Sequence, residues 1–176
     1  MSRLDATLER IQRWDERLCL RCNRALRYRM LPQLCRAVSW LGNGIFWYAL
    51  MLAFLLSRPD AALPVLHMAA AGLACTLAYK LLKRGTLRPR PYQVHASIAR
   101  GASPLDTFSF PSGHTLHAVA FSIVALAYYP TLAPLLVPFT LLTAASRVVL
   151  GLHYPTDVLA GAALGALIGA ASLALA

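Results

Sequence analysis

Long apolar stretches, separated by short polar ones, make up most of the chain from residue 38 onward. Each approaches the roughly 20 residues that an α-helix needs to cross the hydrocarbon core of a bilayer. They run over 38–56, 61–82, 115–129, 132–150 and 155–175. This pattern predicts an all-α fold, an integral membrane helical bundle with about five transmembrane helices.

The N-terminal part of the chain follows a different pattern. Nine arginines fall within residues 1–36, and between them apolar residues recur at helical spacing: Leu4, Leu8, Ile11, Leu18 and Leu26. Such a segment is typical of an amphipathic helix that lies on a membrane surface, with Trp14 as an interface anchor and a break at Pro32. We therefore expect a basic interfacial segment over 1–36 and a transmembrane domain over 37–176. The charged start of the chain lacks the apolar core of a secretory signal peptide.

Composition and charge agree with a membrane protein and narrow its partners. The chain has 176 residues, of which 58% are apolar, and carries a formal net charge of +10. The basic excess comes without the aromatic-basic pattern of a nucleic-acid module, so it favours anionic lipid headgroups or an anionic substrate as partners. Four cysteines, Cys19, Cys22, Cys35 and Cys75, form no recognisable ligand set.

Two predicted helix starts carry polar residues. Pro155 suits the first position of a helix, which places Asp157 in the first turn and His153 just outside it. A carboxylate there can hold one ring nitrogen of His153 and leave the other facing an anion at the helix N-terminus. Ser112 suits the N-cap of another helix, where the amides of Gly113 and His114 would be free donors. Both helix starts are therefore candidate anion sites.

Alternation of the predicted spans brings these polar segments together. Consecutive spans cross in opposite directions, so the end of the second, the start of the third, the end of the fourth and the start of the fifth emerge on one face. The candidate site residues at those positions are Lys83, Arg90, Ser112, Gly113, His114, Arg147, His153 and Asp157.

These residue types suit phosphoryl transfer, whose transition state spreads negative charge over three equatorial oxygens. Lys83, Arg90 and Arg147, helped by Ser112 and the Gly113 amide, would hold the oxygens. His153, held by Asp157, would attack phosphorus, and His114 would serve as the acid and then the base. A two-metal mechanism needs clustered carboxylates, and only Asp106 and Asp157 lie near this face, so we predict no metal and no cofactor.

The same residues resemble the signature of the type 2 phosphatidic acid phosphatase (PAP2) superfamily, which consists of three motifs. Lys83 to Arg90-Pro91 matches Lys-x6-Arg-Pro, Pro111 to His114 matches Pro-Ser-Gly-His, and Ser146 to Asp157 matches Ser-Arg-x5-His-x3-Asp. The resemblance implies a metal-independent membrane phosphatase with the roles given above. Its membrane members act on phosphatidic acid, phosphatidylglycerol phosphate, or polyprenyl mono- and diphosphates. Two alternatives are a vanadate-dependent haloperoxidase, which shares this pocket, and a non-catalytic membrane scaffold or lipid carrier.

Several further features carry weaker expectations. His67 is expected to form a hydrogen bond between helices, His117 to pack behind the site, and His95 either to line the entrance or to be solvated. The glycines 161, 165 and 169 form a seam for close packing, within one bundle or in a homodimer. We expect a multi-pass protein of the cell (inner) membrane. The basic N-terminal segment favours a cytoplasmic catalytic face, whereas the resemblance favours the outer one.

Overall fold

α-Helices make up most of the part of the chain that the structure describes. A computed structural model describes residues 3–174, with side chains from residue 5 onward, and within that range it contains helices and loops but no β-strand. The helices are α1 (Arg3–Asn23), α2 (Leu31–Trp40), α3 (Phe46–Ser57), α4 (Ala62–Thr86), α5 (Pro91–Val94), α6 (Gly113–Tyr128), α7 (Ala133–Val149) and α8 (Pro155–Ala174). The all-α membrane fold is confirmed.

Four helical stretches are long and apolar enough to cross a membrane. Within the described residues they are Leu31–Ser57, Ala62–Val94, Pro130–Val149 and Pro155–Ala174. The remaining predicted span, 115–129, corresponds to α6, which has 16 residues. At 1.5 Å per residue α6 is about 24 Å long, shorter than a hydrocarbon core of about 30 Å. It is enclosed by α4, α7 and α8, so it forms the apolar centre of the bundle. The end predicted at Leu175 lies outside the described residues.

A π-helical segment, Leu41–Ile45, joins α2 and α3 into the first of these stretches. Gly44 within it has φ +117°, a backbone conformation that residues with a Cβ rarely adopt. Helices with such an inserted turn often carry functional residues at the insertion. The segment places Asn43 on the wall of the cavity described below.

The glycine seam of α8 packs on α6 within one chain. A Cβ added at Gly161 would lie 2.6 Å from the carbonyl oxygen of Ser112, and one at Gly165 would collide with the carbonyl of Leu116. The absence of side chains therefore lets α8 lie directly on the α6 backbone. On the other side of α6, His67 of α4 bonds to the Tyr128 hydroxyl at 3.0 Å, which confirms the expected interhelical bond.

Helix α1 is amphipathic, but the face that packs on the bundle is a polar one. Leu8, Ile11 and Trp14 are exposed, whereas Asp15, Cys19 and Asn23 are buried against the neighbourhood of α7 and α8. The side chain of Leu4 lies outside the described part. The exposed apolar residues remain available to a membrane surface, and the chain turns through a 3₁₀ segment, Arg24–Arg27, before α2 begins next to Pro32.

Candidate active site

A cavity of about 460 Å³ opens where α4 and α7 end and α6 begins. Six of the eight residues predicted for the site line it: Lys83, Arg90, Gly113, His114, Arg147 and His153. The rest of its wall is largely apolar and includes Trp47, Met51, Leu73 and Phe121. Three cations and three imidazoles, with His117 as the third, thus line a pocket whose remaining wall is mostly apolar.

Asp106, from the loop between α5 and α6, occupies the cationic end. The Lys83 Nζ donates to its two carboxylate oxygens at 2.7 and 2.8 Å and to the carbonyl of Phe108 at 2.9 Å. Arg90 NH2 donates to Asp106 at 2.6 Å. An ammonium group has three N–H donors, so Lys83 has none left for another anion. Burial would raise the pKa of Asp106, but hydrogen bonds and charges from Lys83 and Arg90 outweigh it and lower that pKa below its ordinary value.

His153 lies just before α8 with its ring almost completely buried. Burial lowers the pKa of His153 well below its ordinary value, and the charges of Arg147, Arg90 and Lys83 lower it further, against a smaller opposing effect of Asp106. The imidazole is therefore neutral, as a nucleophile must be. Arg90 NH1 lies 3.2 Å from His153 Nε2 and donates to the Leu152 carbonyl at 2.7 Å.

Asp157 lies beside His153, but the expected hydrogen bond between them is not formed. The His153 Nδ1 to Asp157 Oδ2 distance is 3.7 Å, and this nitrogen has no hydrogen-bond partner among the described residues. Both carboxylate oxygens accept other bonds: Oδ2 from the Tyr154 N–H at 2.8 Å and Oδ1 from Arg88 at 2.6 Å. The position is as predicted, because α8 begins at Pro155 and puts Asp157 in its first turn.

Two other predicted residues meet partners from the segment around the π turn. His114 Nε2 meets the side-chain oxygen of Asn43, and Arg147 NH1 donates to the hydroxyl of Ser39. The Arg147 Nε is buried without a hydrogen-bond partner in the described structure. Buried arginine N–H groups are costly to leave unpaired, so this side chain fits a cavity that receives an anion.

Ser112 differs from its expected role. It holds the N-cap position of α6, yet its hydroxyl pairs with that of Thr115 at 3.0 Å instead of capping the helix, and it does not line the cavity. Its backbone N–H donates to the carbonyl of Asp157 at 3.0 Å. In this structure Ser112 therefore ties α6 to α8 behind the anion pocket.

The structure also gives the positions of His117 and His95, whose roles the sequence left undecided. His117 bonds to the Gly113 carbonyl at 2.8 Å and the Thr76 hydroxyl at 3.1 Å and borders the cavity. His95 is away from the cavity and lies 3.6 Å from Glu16 of α1.

One network at the site was missed by the sequence. Arg88 NH2 donates to Asp15 of α1 at 2.7 Å, while its NH1 donates to Asp157 and to the Thr156 hydroxyl at 2.8 Å. Neither Arg88 nor Asp15 stands at a position that the three motifs specify. The one available signal was the spacing of Asp15, Cys19 and Asn23, which puts three short polar side chains on one face of an arginine-rich helix.

Comparison with known proteins agrees with this geometry. The profile of the PAP2 superfamily matches residues 60–176. The decaprenylphosphoryl-5-phosphoribose phosphatase of Mycolicibacterium smegmatis is 37% identical over 72% of this chain and 68% of its own length. The undecaprenyl-diphosphatase BcrC of Bacillus subtilis is 35% identical over 69% of this chain and 64% of its own. Among solved structures, Aquifex aeolicus LpxE superposes with a TM-score of 0.78 at 27% identity, covering 90% of this chain and 93% of that one. The chain therefore belongs to the PAP2 superfamily of membrane phosphatases.

Proposed function

We propose that this protein hydrolyses the phosphate or diphosphate group of a membrane lipid through a phosphohistidine at His153. The observation that carries the proposal is one cavity in which Lys83, Arg90, Arg147 and two imidazoles face an apolar wall. Cations there can hold the phosphate, and the apolar wall suits the first part of a lipid tail.

Substrate binding begins with an exchange of anions. Lys83 has no free N–H while Asp106 accepts its bonds, so the phosphate has to take over the bonds that Asp106 receives from Lys83 and Arg90. Arg147, whose Nε has no hydrogen-bond partner among the residues that the structure describes, supplies a further donor. The three cations then surround the equatorial oxygens, and the N-terminal end of α6 adds the Gly113 amide.

The chemical step is an in-line displacement. The lone pair of His153 Nε2 forms a bond to the terminal phosphorus as the bond between that phosphorus and its leaving oxygen breaks. The leaving oxygen is the lipid alcohol oxygen in a monophosphate and the bridging oxygen in a diphosphate, and His114 gives it a proton. Water then attacks the phosphohistidine, His114 takes its proton, and inorganic phosphate leaves. During the first step His153 becomes positively charged, so Asp157, 3.7 Å from Nδ1, stabilises it.

A polyprenyl phosphate or diphosphate is the substrate class we favour, with diacylglycerol phosphates as the alternative. The cationic part of the cavity has room for phosphate groups, and among the described residues that line the rest of it no further charged group is present to bind a large headgroup. Two relatives bear names that refer to polyprenyl-linked phosphates, which supports the same choice.

The chain is a multi-pass membrane protein, and we place it in the cell (inner) membrane. All residues of the proposed mechanism come from one chain, and the glycine seam is used inside the bundle, so catalysis needs no second subunit. A homodimer stays a prediction, which light scattering on the detergent-solubilised protein tests. The face of the membrane that carries the site can be assigned by labelling a cysteine placed at Asp60, an exposed residue between α3 and α4.

The test is phosphate release by the purified full-length protein from four lipids: a polyprenyl phosphate, a polyprenyl diphosphate, phosphatidic acid and phosphatidylglycerol phosphate. We expect turnover of at least one, undiminished by a chelator. His153→Ala should lower kcat by about 10⁴-fold or more because the nucleophile is lost.

His95→Ala is the matched control, since His95 is away from the cavity, and it should keep wild-type kcat. Failure of the wild type to release phosphate from every lipid would contradict the proposed function. Full turnover by His153→Ala would contradict the assigned nucleophile, and inactivation by a chelator would contradict the metal-independent mechanism.

A further inference from the structure

One face of α1 is built to contact the segment that carries His153. Asp15, Cys19 and Asn23 are spaced four residues apart, so they lie in one row along the helix. All three are buried, although α1 is otherwise rich in exposed arginine. Each of these side chains forms a hydrogen bond to residues between Val149 and Thr156.

Asn23 and Cys19, two members of this row, form hydrogen bonds to backbone groups. The Asn23 amide donates to the carbonyl of Val149 at 3.0 Å and pairs with both backbone groups of Ala99. The Cys19 thiol donates to the carbonyl of His153 itself at 3.6 Å. Burial and the nearby charge of Asp15 raise the pKa of Cys19 to about 12, so the thiol stays protonated and able to donate.

Asp15 makes the closest connection to the catalytic groups. Its carboxylate accepts the Thr156 N–H at 2.9 Å, the Thr156 hydroxyl, and Arg88 NH2 at 2.7 Å. The other nitrogen of the same guanidinium donates to Asp157 at 2.6 Å. One arginine is thus held between two fully buried carboxylates, and one of these stands beside His153.

We propose that Asp15 is a positioning residue for the phosphatase reaction, holding Arg88 and the start of α8 so that Asp157 stabilises His153 as it is phosphorylated. The inference rests on the proposed function. It gives the N-terminal helix, which lies outside residues 60–176 matched by the family profile, a part in catalysis.

The charges give Asp15 a second effect on the same step. Arg88 and Asp157 alone would form a neutral pair, which would stabilise a developing imidazolium poorly. With Asp15 included, two carboxylates share one guanidinium, and the buried group keeps a net charge of −1 close to His153. Replacing Asp15 by asparagine keeps the size of the side chain and removes this charge.

A single-turnover experiment separates positioning from simple support of the fold. The full-length protein in detergent is mixed with radiolabelled polyprenyl diphosphate and quenched in alkali, which preserves phosphohistidine. The rate at which label appears measures the attack by His153. After correction for the separately measured loss of label to water, the amplitude measures the fraction of competent protein. In Asp15→Asn we expect wild-type amplitude and a rate lowered by about 10- to 100-fold, the effect of a misplaced catalytic group.

Glu9→Gln is the matched control, because Glu9 is an exposed carboxylate of the same helix that pairs with Arg13. It should leave both amplitude and rate unchanged. If Asp15→Asn does not fold, Arg88→Lys takes its place, since a single ammonium cannot bridge two carboxylates as a guanidinium does, and the same loss of rate is expected.

A normal rate with reduced amplitude in the tested variant would overturn the proposal, because Asp15 would then only support the fold. A normal rate with normal amplitude would overturn it as well. Absence of labelling in the wild type would instead count against the proposed function, so the two failures are distinguishable.

Discussion

Two groups of carboxylates pair with cations around this site, and their surroundings differ. Asp106 joins Lys83 and Arg90 inside the cavity, and its side chain is 37% exposed on a loop. Asp15 and Asp157 share Arg88 behind the site, and both have an exposed fraction of 0%. A partly exposed carboxylate on a loop can be replaced by an incoming anion that pairs with the same buried cations, whereas a buried charge left without any partner is costly. We infer that the first group can give way to substrate and that the second stays fixed through turnover.

The largest effect on stability is expected from the removal of Arg88, the cation that Asp15 and Asp157 share. Arg88→Gln leaves Asp15 and Asp157 buried with no opposite charge, so we expect a loss of about 3–5 kcal/mol in the free energy of unfolding. Thermal unfolding in detergent measures it. Arg84→Gln, which removes an exposed arginine near the end of α4, should change the midpoint little. An unchanged midpoint for Arg88→Gln would show that the buried group does not hold the structure together.

Removal of Asp106, the carboxylate that we expect the substrate to displace, should instead change the affinity for anionic ligands. If Asp106 occupies the anion position in most molecules, the apparent Kd of any anion exceeds its intrinsic Kd by the inverse of the open fraction. Asp106→Asn should therefore tighten inhibition by vanadate by about tenfold. The measurement is the inhibition constant of vanadate during lipid hydrolysis.

The control for that experiment is Asp60→Asn, an exposed carboxylate remote from the cavity. It should leave the inhibition constant as in the wild type. Weaker vanadate inhibition in Asp106→Asn would mean that Asp106 orients Lys83 and Arg90 for phosphate, and the contrast between the two groups would be lost.

A smaller effect is expected from the hydroxyl that links the members of the buried group. Thr156 donates to Asp15 and accepts from Arg88, so Thr156→Val removes two hydrogen bonds but no charge. We expect a loss of about 1–2 kcal/mol in the free energy of unfolding, seen as a lower midpoint of thermal unfolding. Thr131→Val, at an exposed site, should lower the midpoint less. Equal effects of the two variants would contradict the assigned network.

The sequence was sufficient to predict the membrane helices and the positions of the motif residues. Apolar runs predicted the membrane helices because burial in lipid requires them. Alternating span direction, a matter of topology, predicted that Lys83, His114 and His153 would meet, and they line one cavity.

Pairings between distant segments could not be read in the same way. Thr156 lies 141 positions from Asp15, and no local pattern signals that contact. The apolar row of α1 predicted a face toward the membrane surface, and Ile11 and Trp14 are exposed, but no pattern in the helix indicated that Asp15 would be buried. Arg88 accounts for this outcome, because a partly buried guanidinium between Asp15 and Asp157 stabilises both carboxylates. For the same reason the sequence could not show that Asp157 would accept its hydrogen bond from Arg88. It also could not show that His153 Nδ1 would have no hydrogen-bond partner among the described residues.

The central claim is that His153 carries the phosphoryl group during turnover. Its most direct test is to quench the wild-type protein in alkali during hydrolysis of radiolabelled polyprenyl diphosphate and to locate the label by peptide mapping. We predict an alkali-stable, acid-labile phosphate on the peptide that contains His153, absent from His153→Ala. Label on His114 or on another residue, or full turnover without any labelled protein, would contradict the account.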